Sequence, residues 1–414
     1  LLLGVYDKAG DLVYVGRVGT GFDHKTLTAI HRRLRLLERK TSPFRNAAGS
    51  QGGVHWVEPS LVAEVAFRNW TRDGLIRQPV FLGLREDKQA KDVVREHPQA
   101  VERVTGRKSA HRTPARAARS SGGQPPGIAG VQLTNPDRIL YPDQGLTKRA
   151  LASFYHDIAD WILPHVVDRP LTLVRCPEGY TKQCFYQKHA DESTPEALKR
   201  TELEEVDASG TYMYVDGVAG LITLVQLGVL EIHPWGSRVD HPDRPDRLIF
   251  DLDPSPGVAW PQVVNTARWL HRRLSELGLT SFVKTTGGKG LHVVVPLAPV
   301  HGWDEVKAFS KAIAENVVRH SPHDYTINPL KAARKGKILV DYLRNARGAT
   351  AVAAYSTRAR AGAPVSTPVS WDELGGRLRS NTYTVSNLAR RLARLKKDPW
   401  DGYFKLRQRI TKSG

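Results

Sequence analysis

The sequence predicts a mixed α/β domain preceded by a smaller, mostly β domain. Short apolar strand patterns dominate residues 1–88, whereas from Val131 onward strands alternate with helices of 3.6-residue periodicity. Residues 89–130 carry many Pro, Gly, Ser and Arg residues and few large apolar ones. This composition predicts a flexible basic linker, so the second domain is expected to cover residues 131–414.

The positive net charge indicates what kind of molecule the protein binds. The 414-residue chain has a formal net charge of +19, the electrostatic signature of a protein that binds nucleic acid. An excess of Arg set by a GC-rich genome would give the same total. The placement of the charges therefore has to decide between the two explanations.

The composition also indicates the cellular compartment in which the protein works. No apolar run reaches the ~18 residues of a membrane helix, so no membrane association is expected. Only two cysteines occur, Cys176 and Cys184, and no second Cys or His pair completes a zinc pattern. We expect a cytoplasmic protein. Its two cysteines should be buried free thiols rather than a disulfide or a metal-binding pair.

The elements of the first domain are short. Residues 12–15 alternate toward a turn at Gly16, and residues 61–67 and 75–84 form two further strand patterns around Gly74. One helix is predicted over residues 25–37, because its apolar residues share one face: Leu27, Ile30, Leu34 and Leu37.

The second domain alternates helices and strands. A helix begins after Thr147 as its N-cap and keeps helical spacing through Ile162. Further helices are predicted over residues 218–229, 261–277 and 303–319. Strands are predicted over residues 171–176, 184–188, 230–233, 247–254, 281–286, 291–296 and 338–343. This order predicts mixed β-sheets flanked by helices.

Two carboxylates end the strand predicted at residues 247–254. Asp251 and Asp253 are two positions apart and therefore point to the same side. A lone Asp-x-Asp arises by chance about once in a chain of this length. However, Asp341 ends another apolar strand, although there it could simply cap a turn. Carboxylates this close favour a cation between them, and together the three predict a two-metal site for Mg²⁺ or Mn²⁺.

A glycine-rich segment predicts phosphate binding. The run Lys284-Thr-Thr-Gly-Gly-Lys-Gly-Leu-His292 combines glycines, hydroxyls and Lys289, and it lacks the Walker A pattern. A plain strand–turn–strand is the alternative. Nearby, Glu231 and His233 share a strand face, so His233 is a candidate phosphate donor or a structural histidine.

Two further groups suggest contacts with nucleic acid. Lys148, at a helix N-terminus, opposes the macrodipole unless an anion docks there with it, and a solvated lysine is the alternative. Arg175, Phe185 and Tyr186 combine a cation with aromatic rings, which suits stacking on bases. Core packing would explain one of the two aromatic residues equally well.

These motifs resemble those of the polymerase domain of bacterial ligase D, a member of the archaeo-eukaryotic primase superfamily. The resemblance covers residues 131 to about 410. It is carried by Thr134-Asn-Pro-Asp-Arg-Ile-Leu-Tyr-Pro142, Leu230-Glu-Ile-His-Pro-Trp235, Asp251-Leu-Asp-Pro254, the glycine-rich run, Val340-Asp-Tyr-Leu-Arg344 and Leu395-Lys-Lys-Asp-Pro-Trp-Asp-Gly-Tyr-Phe404.

The resemblance implies a template-directed nucleotidyltransferase that uses NTP or dNTP substrates and favours ribonucleotides. Its task would be to add nucleotides at gaps and ends of DNA breaks during non-homologous end joining. The implied partners are double-stranded DNA ends, gapped DNA with a 5′-phosphate, and a bacterial Ku-type end-binding protein. The resemblance also implies association with the bacterial nucleoid, and the polymerase domain is expected to be a monomer.

The resemblance also assigns residues to roles. Two Mn²⁺ or Mg²⁺ ions would be held by Asp251, Asp253 and Asp341. The triphosphate would be contacted by His233, Thr286, Lys289, Arg344 and Arg358. The downstream 5′-phosphate would be held by Asn135, Arg138 and Lys148, and the template by Arg175, Phe185 and Tyr186. Where the family usually has Ser and Phe, this chain has Thr286 and Tyr186, which keep the hydroxyl and the aromatic ring.

Residues 1–88 resemble most of the OB-fold domain of the same family's ATP-dependent ligase module. The resemblance places Arg85 and Lys88 near the ATP phosphates. No Lys-x-Asp-Gly motif occurs in the chain, so we expect no nick sealing by the chain alone. A DNA-end-binding module with a vestigial catalytic site is the alternative to a polymerase, and the complete set of three carboxylates disfavours it.

Overall fold

A computed structural model describes residues 1–7, 9–19, 24–45, 54–66, 74–76, 79–85, 90–93, 127–191, 193–204 and 209–410. Within these residues no helix is long and apolar enough to cross a membrane. The chain divides into two compact units, Leu1–Ala118 and Arg119–Gly414. Lys88 and most of the predicted linker lie outside the described residues, so both remain predictions.

The first unit is mostly β, as predicted. Its elements are β1 (Leu2–Tyr6), β2 (Leu12–Arg17), α1 (His24–Arg35), β3 (Glu38–Arg39), β4 (Trp56–Val57), β5 (Val62–Ala66) and β6 (Val80–Arg85). The strands pair antiparallel as β1–β2, β3–β4 and β5–β6. The predicted turn at Gly16 is wrong, because Gly16 lies inside β2. There, a Cβ would stand 2.9 Å from Ile76 Cγ1.

The second unit alternates helices and strands. Its helices are α2 (Lys148–Asp157), α3 (Ala159–Val166), α4 (Val218–Gln226), α5 (Trp260–Glu276), α6 (Trp303–His320) and α7 (Val385–Leu392). Its strands are β7 (Ile139–Tyr141), β8 (Leu146–Thr147), β9 (Leu171–Arg175), β10 (Phe185–Gln187), β11 (Lys199–Glu204), β12 (Ser209–Tyr214), β13 (Val229–Pro234), β14 (Arg247–Pro254), β15 (Phe282–Thr285), β16 (Leu291–Pro296), β17 (Tyr325–Thr326), β18 (Ile338–Asp341) and β19 (Pro368–Val369).

A six-stranded sheet forms the centre of this unit, in the order β17-β18-β14-β16-β15-β19. Neighbouring strands are antiparallel except β17 and β18. Leu248, Phe250 and Leu252 of β14 belong to one core together with buried residues of α5 and α6. Side-chain alternation therefore sends Asp251 and Asp253 to the opposite face of the sheet.

A three-stranded antiparallel sheet, β10-β9-β13, shares a second core with α2, α3 and α4. Thr147 is the N-cap of α2, as predicted, and its Oγ1 accepts from Ala150 N at 3.2 Å. The helix predicted through Ile162 is interrupted, because Ile158 leaves helical geometry and separates α2 from α3. The antiparallel pair β11–β12 was not predicted.

The prediction of two free thiols is wrong, because Cys176 and Cys184 form a disulfide. The reason is the register of the β9–β10 hairpin, in which Arg175 pairs with Phe185. The next residue outward on each strand is a cysteine, and their Cα atoms are 4.3 Å apart. The disulfide therefore closes the loop at the end of this hairpin.

Candidate active site

A row of four ionisable side chains crosses the central sheet. Asp341 on β18 pairs with Asp251 on β14, Asp251 pairs with His292 on β16, and His292 pairs with Lys284 on β15. Directly paired residues point to the same face of a sheet, and Asp253 follows two positions later on that face. The strand register therefore gathers the three carboxylates that the sequence singled out.

Arginines balance these carboxylates. Arg344 Nε lies 3.3 Å from Asp251 Oδ2 and 3.2 Å from Asp341 Oδ2. The guanidinium of Arg334 pairs with Asp253, and His292 Nε2 lies 3.4 Å from the other oxygen of Asp251. Each carboxylate thus has at least one cationic or hydrogen-bonding neighbour.

The two paired aspartates differ in how easily they ionise. Burial raises the pKa of Asp341, and the neighbouring Asp251 raises it further, against the lowering effect of Arg344. For Asp251, burial is outweighed by His292, Arg344 and Lys284, so its pKa is lowered. Burial and then Lys284 lower the pKa of His292 to about 4, which leaves it neutral at pH 7.

The donor set of this row suits a hard divalent cation. Carboxylate oxygens are the preferred ligands of Mg²⁺ and Mn²⁺. A bound cation would also favour the ionised form of Asp341 and so lower its raised pKa. In the described part of the chain, however, no three His, Cys, Asp or Glu side chains already form a metal cage. In the arrangement seen here, Arg334 and Arg344 supply the positive charge next to the oxygens.

The glycine-rich segment forms a tight turn between β15 and β16, built around Thr286. Thr286 Oγ1 accepts from the backbone N of Gly288 and Gly290, each at 3.2 Å, and lies 3.0 Å from Ser380 Oγ. Only glycine fits at position 290, because a Cβ there would stand 1.8 Å from Leu252 O of β14. The turn therefore lies against the strand that carries Asp251, with Lys289 exposed at its tip.

A buried network fixes Arg358 beside this turn. Arg358 Nη1 donates to Thr286 O at 2.7 Å, and its Nε lies 3.0 Å from Glu231 Oε2. Glu231 also contacts His233 Nε2 at 2.8 Å and accepts from Ala359 N at 2.9 Å. Burial opposes ionisation of Glu231, but His233 and Arg358 outweigh it and lower its pKa to about 2.

Lys148 is buried, so the solvated-lysine alternative does not hold. Its Nζ donates to Thr134 O at 2.9 Å and to Gln226 O at 3.2 Å. Burial and then Arg138 lower its pKa. Asn135 and Arg138 are exposed nearby, and Arg138 Nη1 donates to Pro177 O at 3.0 Å. Lys148 thus lies among backbone acceptors, with two exposed polar side chains in the same segment.

Both aromatic residues of β10 are exposed, which rules out the core-packing alternative. Phe185 is 42% and Tyr186 74% exposed. The Arg175 guanidinium lies 5.3 Å from the centroid of the Phe185 ring and donates to Gln187 Oε1 at 2.9 Å. The hairpin, closed by its disulfide, therefore presents two unpacked rings and a cation.

The β7–β8 hairpin, which leads into α2 and Lys148, is hydrogen-bonded to the segment that carries Arg358. Tyr141 Oη donates to Arg358 O at 3.0 Å, and Gly362 N donates to Asp143 at 2.6 Å. Gln144 also donates to Gly362 O at 2.9 Å. The β7–β8 hairpin therefore links the segment that carries Arg138 and Lys148 to the segment that carries Arg358.

Sequence reasoning assigned no role to His292, Lys284 or Arg334. His292 ends the glycine-rich motif, but only the strand register brings it next to Asp251. Lys284 joins the row through the same register, whereas the Arg334–Asp253 pair joins residues 81 positions apart. No spacing rule could have shown these contacts.

Residues 147–400, more than half of the chain, match the family described as LigD, primase-polymerase domain. The chain belongs to the LigD family. Residues 1–88 match a second family, described as the ATP dependent DNA ligase C terminal region. The resemblance that the sequence motifs indicated is confirmed for both parts.

The curated relatives carry LigD names. Multifunctional non-homologous end joining protein LigD of Pseudomonas aeruginosa is 39% identical over 99% of this chain and 48% of its own length. The protein of that name from Mycolicibacterium smegmatis is 33% identical over 59% of this chain and 32% of its own length. The chain thus spans about half the length of the first of these LigD proteins and a third of the second.

A solved structure of the polymerase domain from Mycobacterium tuberculosis ligase D, in complex with DNA, is also similar. It is 32% identical, with a TM-score of 0.63, over 67% of this chain and 99% of that chain. The likeness confirms the predicted mixed α/β fold of the LigD polymerase domain.

Proposed function

We propose that this LigD chain is a template-directed nucleotidyltransferase that fills gaps and extends ends at DNA breaks in non-homologous end joining. The observation that carries the proposal is the group of carboxylates Asp251, Asp253 and Asp341 beside the turn of Thr286, to which Arg358 is hydrogen-bonded. A cation-binding row next to a phosphate-binding turn is what transfer of a nucleotide from its triphosphate requires. In the cell, a cytoplasmic location would fit this role.

Asp251, Asp253 and Asp341 would hold two divalent ions, Mn²⁺ or Mg²⁺. When bound, such ions would stabilise the charge that develops at the attacking and leaving oxygens. The protein's own contribution is orientation. His292 contacts one oxygen of Asp251, and the backbone N of Leu343 donates to Asp341 Oδ1 at 2.8 Å.

The nucleotide, NTP or dNTP, would bind with its triphosphate along the turn. Thr286 and Lys289 supply a hydroxyl and a charge there, with His233, Arg344 and Arg358 alongside. Glu231 holds His233 and Arg358 in fixed positions, so little reorganisation would be needed when the triphosphate arrives. A preference for ribonucleotides rests on the family resemblance.

DNA would bind at two places. Asn135, Arg138 and Lys148 would hold the 5′-phosphate of the downstream strand, and Arg175, Phe185 and Tyr186 would contact the template. The exposure of both rings and the charge of +19 support this assignment. A Ku-type end-binding protein is the proposed recruiting partner, and the polymerase domain would act as a monomer.

The test is primer extension with Mn²⁺ or Mg²⁺, comparing the chain with Asp251→Ala and with the surface variant Asp240→Ala. We expect incorporation by the chain and by Asp240→Ala, and a loss on the order of 10²–10³-fold in Asp251→Ala. Full activity of Asp251→Ala would overturn the metal assignment. Binding of 5′-phosphorylated ends without incorporation by the unaltered chain would favour the end-binding module with vestigial catalysis. We expect no sealing of nicks by the chain alone.

A further inference from the structure

Ser380 contacts the glycine-rich turn from a separate segment of the chain. It lies between β19 and α7, 94 positions after Thr286. Gly287 N donates to Ser380 O at 3.0 Å, and Ser380 Oγ donates to Gly290 O at 2.8 Å. The hydroxyl oxygens of Ser380 and Thr286 are 3.0 Å apart. Three hydrogen bonds therefore join this one serine to the turn, and no sequence motif pointed to it.

The hydroxyl of Thr286 uses its full hydrogen-bonding capacity within this cluster. Its Oγ1 accepts from Gly288 N and Gly290 N, each at 3.2 Å, which occupies both lone pairs. Its one hydrogen can go to Ser380 Oγ at 3.0 Å or to Gly290 O at 3.1 Å. Since Ser380 already donates to that carbonyl at the shorter distance of 2.8 Å, the bonds run from Thr286 through Ser380 to Gly290.

Ser380 is itself held in place by contacts outside the turn. Val365 N donates to Tyr383 O at 2.8 Å, and Val385 N donates to Ala363 O at 3.1 Å. These bonds fix the segment that follows Ser380. Ser380 is only 3% exposed, so we expect it to act on a ligand through Thr286 rather than by direct contact.

We propose that Ser380 is a positioning residue for the binding of a nucleoside triphosphate at the turn. By accepting the Thr286 hydrogen, Ser380 holds this hydroxyl in one orientation, from which a phosphate oxygen can take over as the acceptor while the turn stays in place. Without the Ser380 hydroxyl, Thr286 would donate to Gly290 O, and that bond would compete with the phosphate. The inference rests on the triphosphate binding proposed above and names a residue that sets its affinity.

The first test is calorimetric titration of the whole chain with GTP in the presence of Mn²⁺. Ser380→Ala should raise the Kd by roughly three- to tenfold, the effect of one hydrogen bond. Ser310→Ala is the matched control, because Ser310 is a buried serine of α6 whose Oγ donates to Lys307 O at 3.0 Å, and it should leave the Kd unchanged. Equal Kd values for the chain and Ser380→Ala would overturn the proposal, as would a chain that does not bind GTP.

A double-mutant cycle separates positioning from a merely structural role. Thr286→Val removes the hydroxyl through which Ser380 acts. In that background, Ser380→Ala should raise the Kd by less than about twofold, because the two residues form one coupled unit. The same rise in both backgrounds would show that Ser380 does not act through Thr286.

Primer extension is measured separately, so that the two proposals can fail independently. A chain that binds GTP but does not extend a primer would contradict the polymerase function, while the Kd comparison would still decide the role of Ser380. If Ser380→Ala does not fold, Ser380→Cys replaces it, since a thiol is only a weak donor and acceptor. The Kd of Ser380→Cys should rise in the same way, and an unchanged Kd would contradict the proposal.

Discussion

At the scale of single residues, the candidate site combines what spacing predicts with what only pairing reveals. Asp251 and Asp253 share a face because they are two positions apart on one strand. That Asp341 lies opposite Asp251 depends on the register of β14 with β18, which the sequence does not encode in any local pattern. The Arg334–Asp253 pair is likewise a consequence of the tertiary fold.

Gly290 offers a sharp test of the turn geometry. Gly290→Ala would push a Cβ into Leu252 O, which it could reach only by displacing β14 or the turn. We expect a loss of about 1–3 kcal/mol in the free energy of unfolding, as for other overpacked sites, measured by urea titration. Gly217→Ala is the control, since nothing lies within 4 Å of a Cβ there. Equal effects of the two substitutions would contradict the described turn.

Because the pKa of Glu231 is shifted, the free energy of unfolding should depend on pH. Its pKa is lowered from 4.5 to about 2 in the folded protein. The stabilisation by ionised Glu231 is therefore fully present above pH ~4.5 and is lost as the pH falls toward ~2, and it amounts to about 3 kcal/mol. The difference in unfolding free energy between the chain and Glu231→Gln should shrink over that range. A difference that stays constant from pH 7 to pH 2.5 would show that Glu231 is not held as described.

At the scale of elements, strongly periodic segments were predictable and locally ambiguous ones were not. The two long helices α5 and α6 and the strand β14 follow from apolar periodicity. β11 escaped prediction because its residues, Lys199–Glu204, are mostly charged and exposed. The break at Ile158 escaped because apolar spacing continues across it into α3.

The disulfide forms because the hairpin register brings the two cysteines together, which the cysteine count alone could not predict. Protein purified without reductant and then denatured should expose no reactive thiol, and two after reduction. Because the linked cysteines are 8 residues apart, the closed loop should add about 2–3 kcal/mol of stability. Thiol titration in denaturant, followed by unfolding of Cys176→Ser, measures both. Two thiols reacting before reduction would contradict the bond.

We expect the β7–β8 hairpin to position Arg358 for nucleotide binding, because Tyr141 of this hairpin donates to the Arg358 carbonyl. Tyr141→Phe removes the donor to Arg358 O and leaves a buried carbonyl unsatisfied, which costs about 1–3 kcal/mol. We expect a higher KM for the nucleotide, by roughly tenfold. Tyr325→Phe is the control, because its hydroxyl contacts Thr266, near the β17 edge of the sheet. An unchanged KM in Tyr141→Phe would show that the hairpin does not position Arg358.

At the scale of the whole molecule, the order of strand-rich and α/β segments predicted the two-part organisation, and family membership supports it. The net charge of +19 alone could not separate DNA binding from genome composition. Two features favour DNA binding: Arg138 presents a cation to solvent, and β10 presents the aromatic rings of Phe185 and Tyr186. Such binding should weaken steeply as salt concentration rises.

We infer that the carboxylates Asp251, Asp253 and Asp341 and the 5′-phosphate group around Lys148 act on one substrate, a gap in DNA. Extension across a short gap, with a downstream strand carrying either a 5′-phosphate or a 5′-hydroxyl, tests this inference. Templated addition with Mn²⁺ should be faster with the phosphate, and Lys148→Gln should abolish that difference while Lys311→Gln keeps it. Equal rates on the two substrates, or no incorporation on either, would contradict this joint action on a gap.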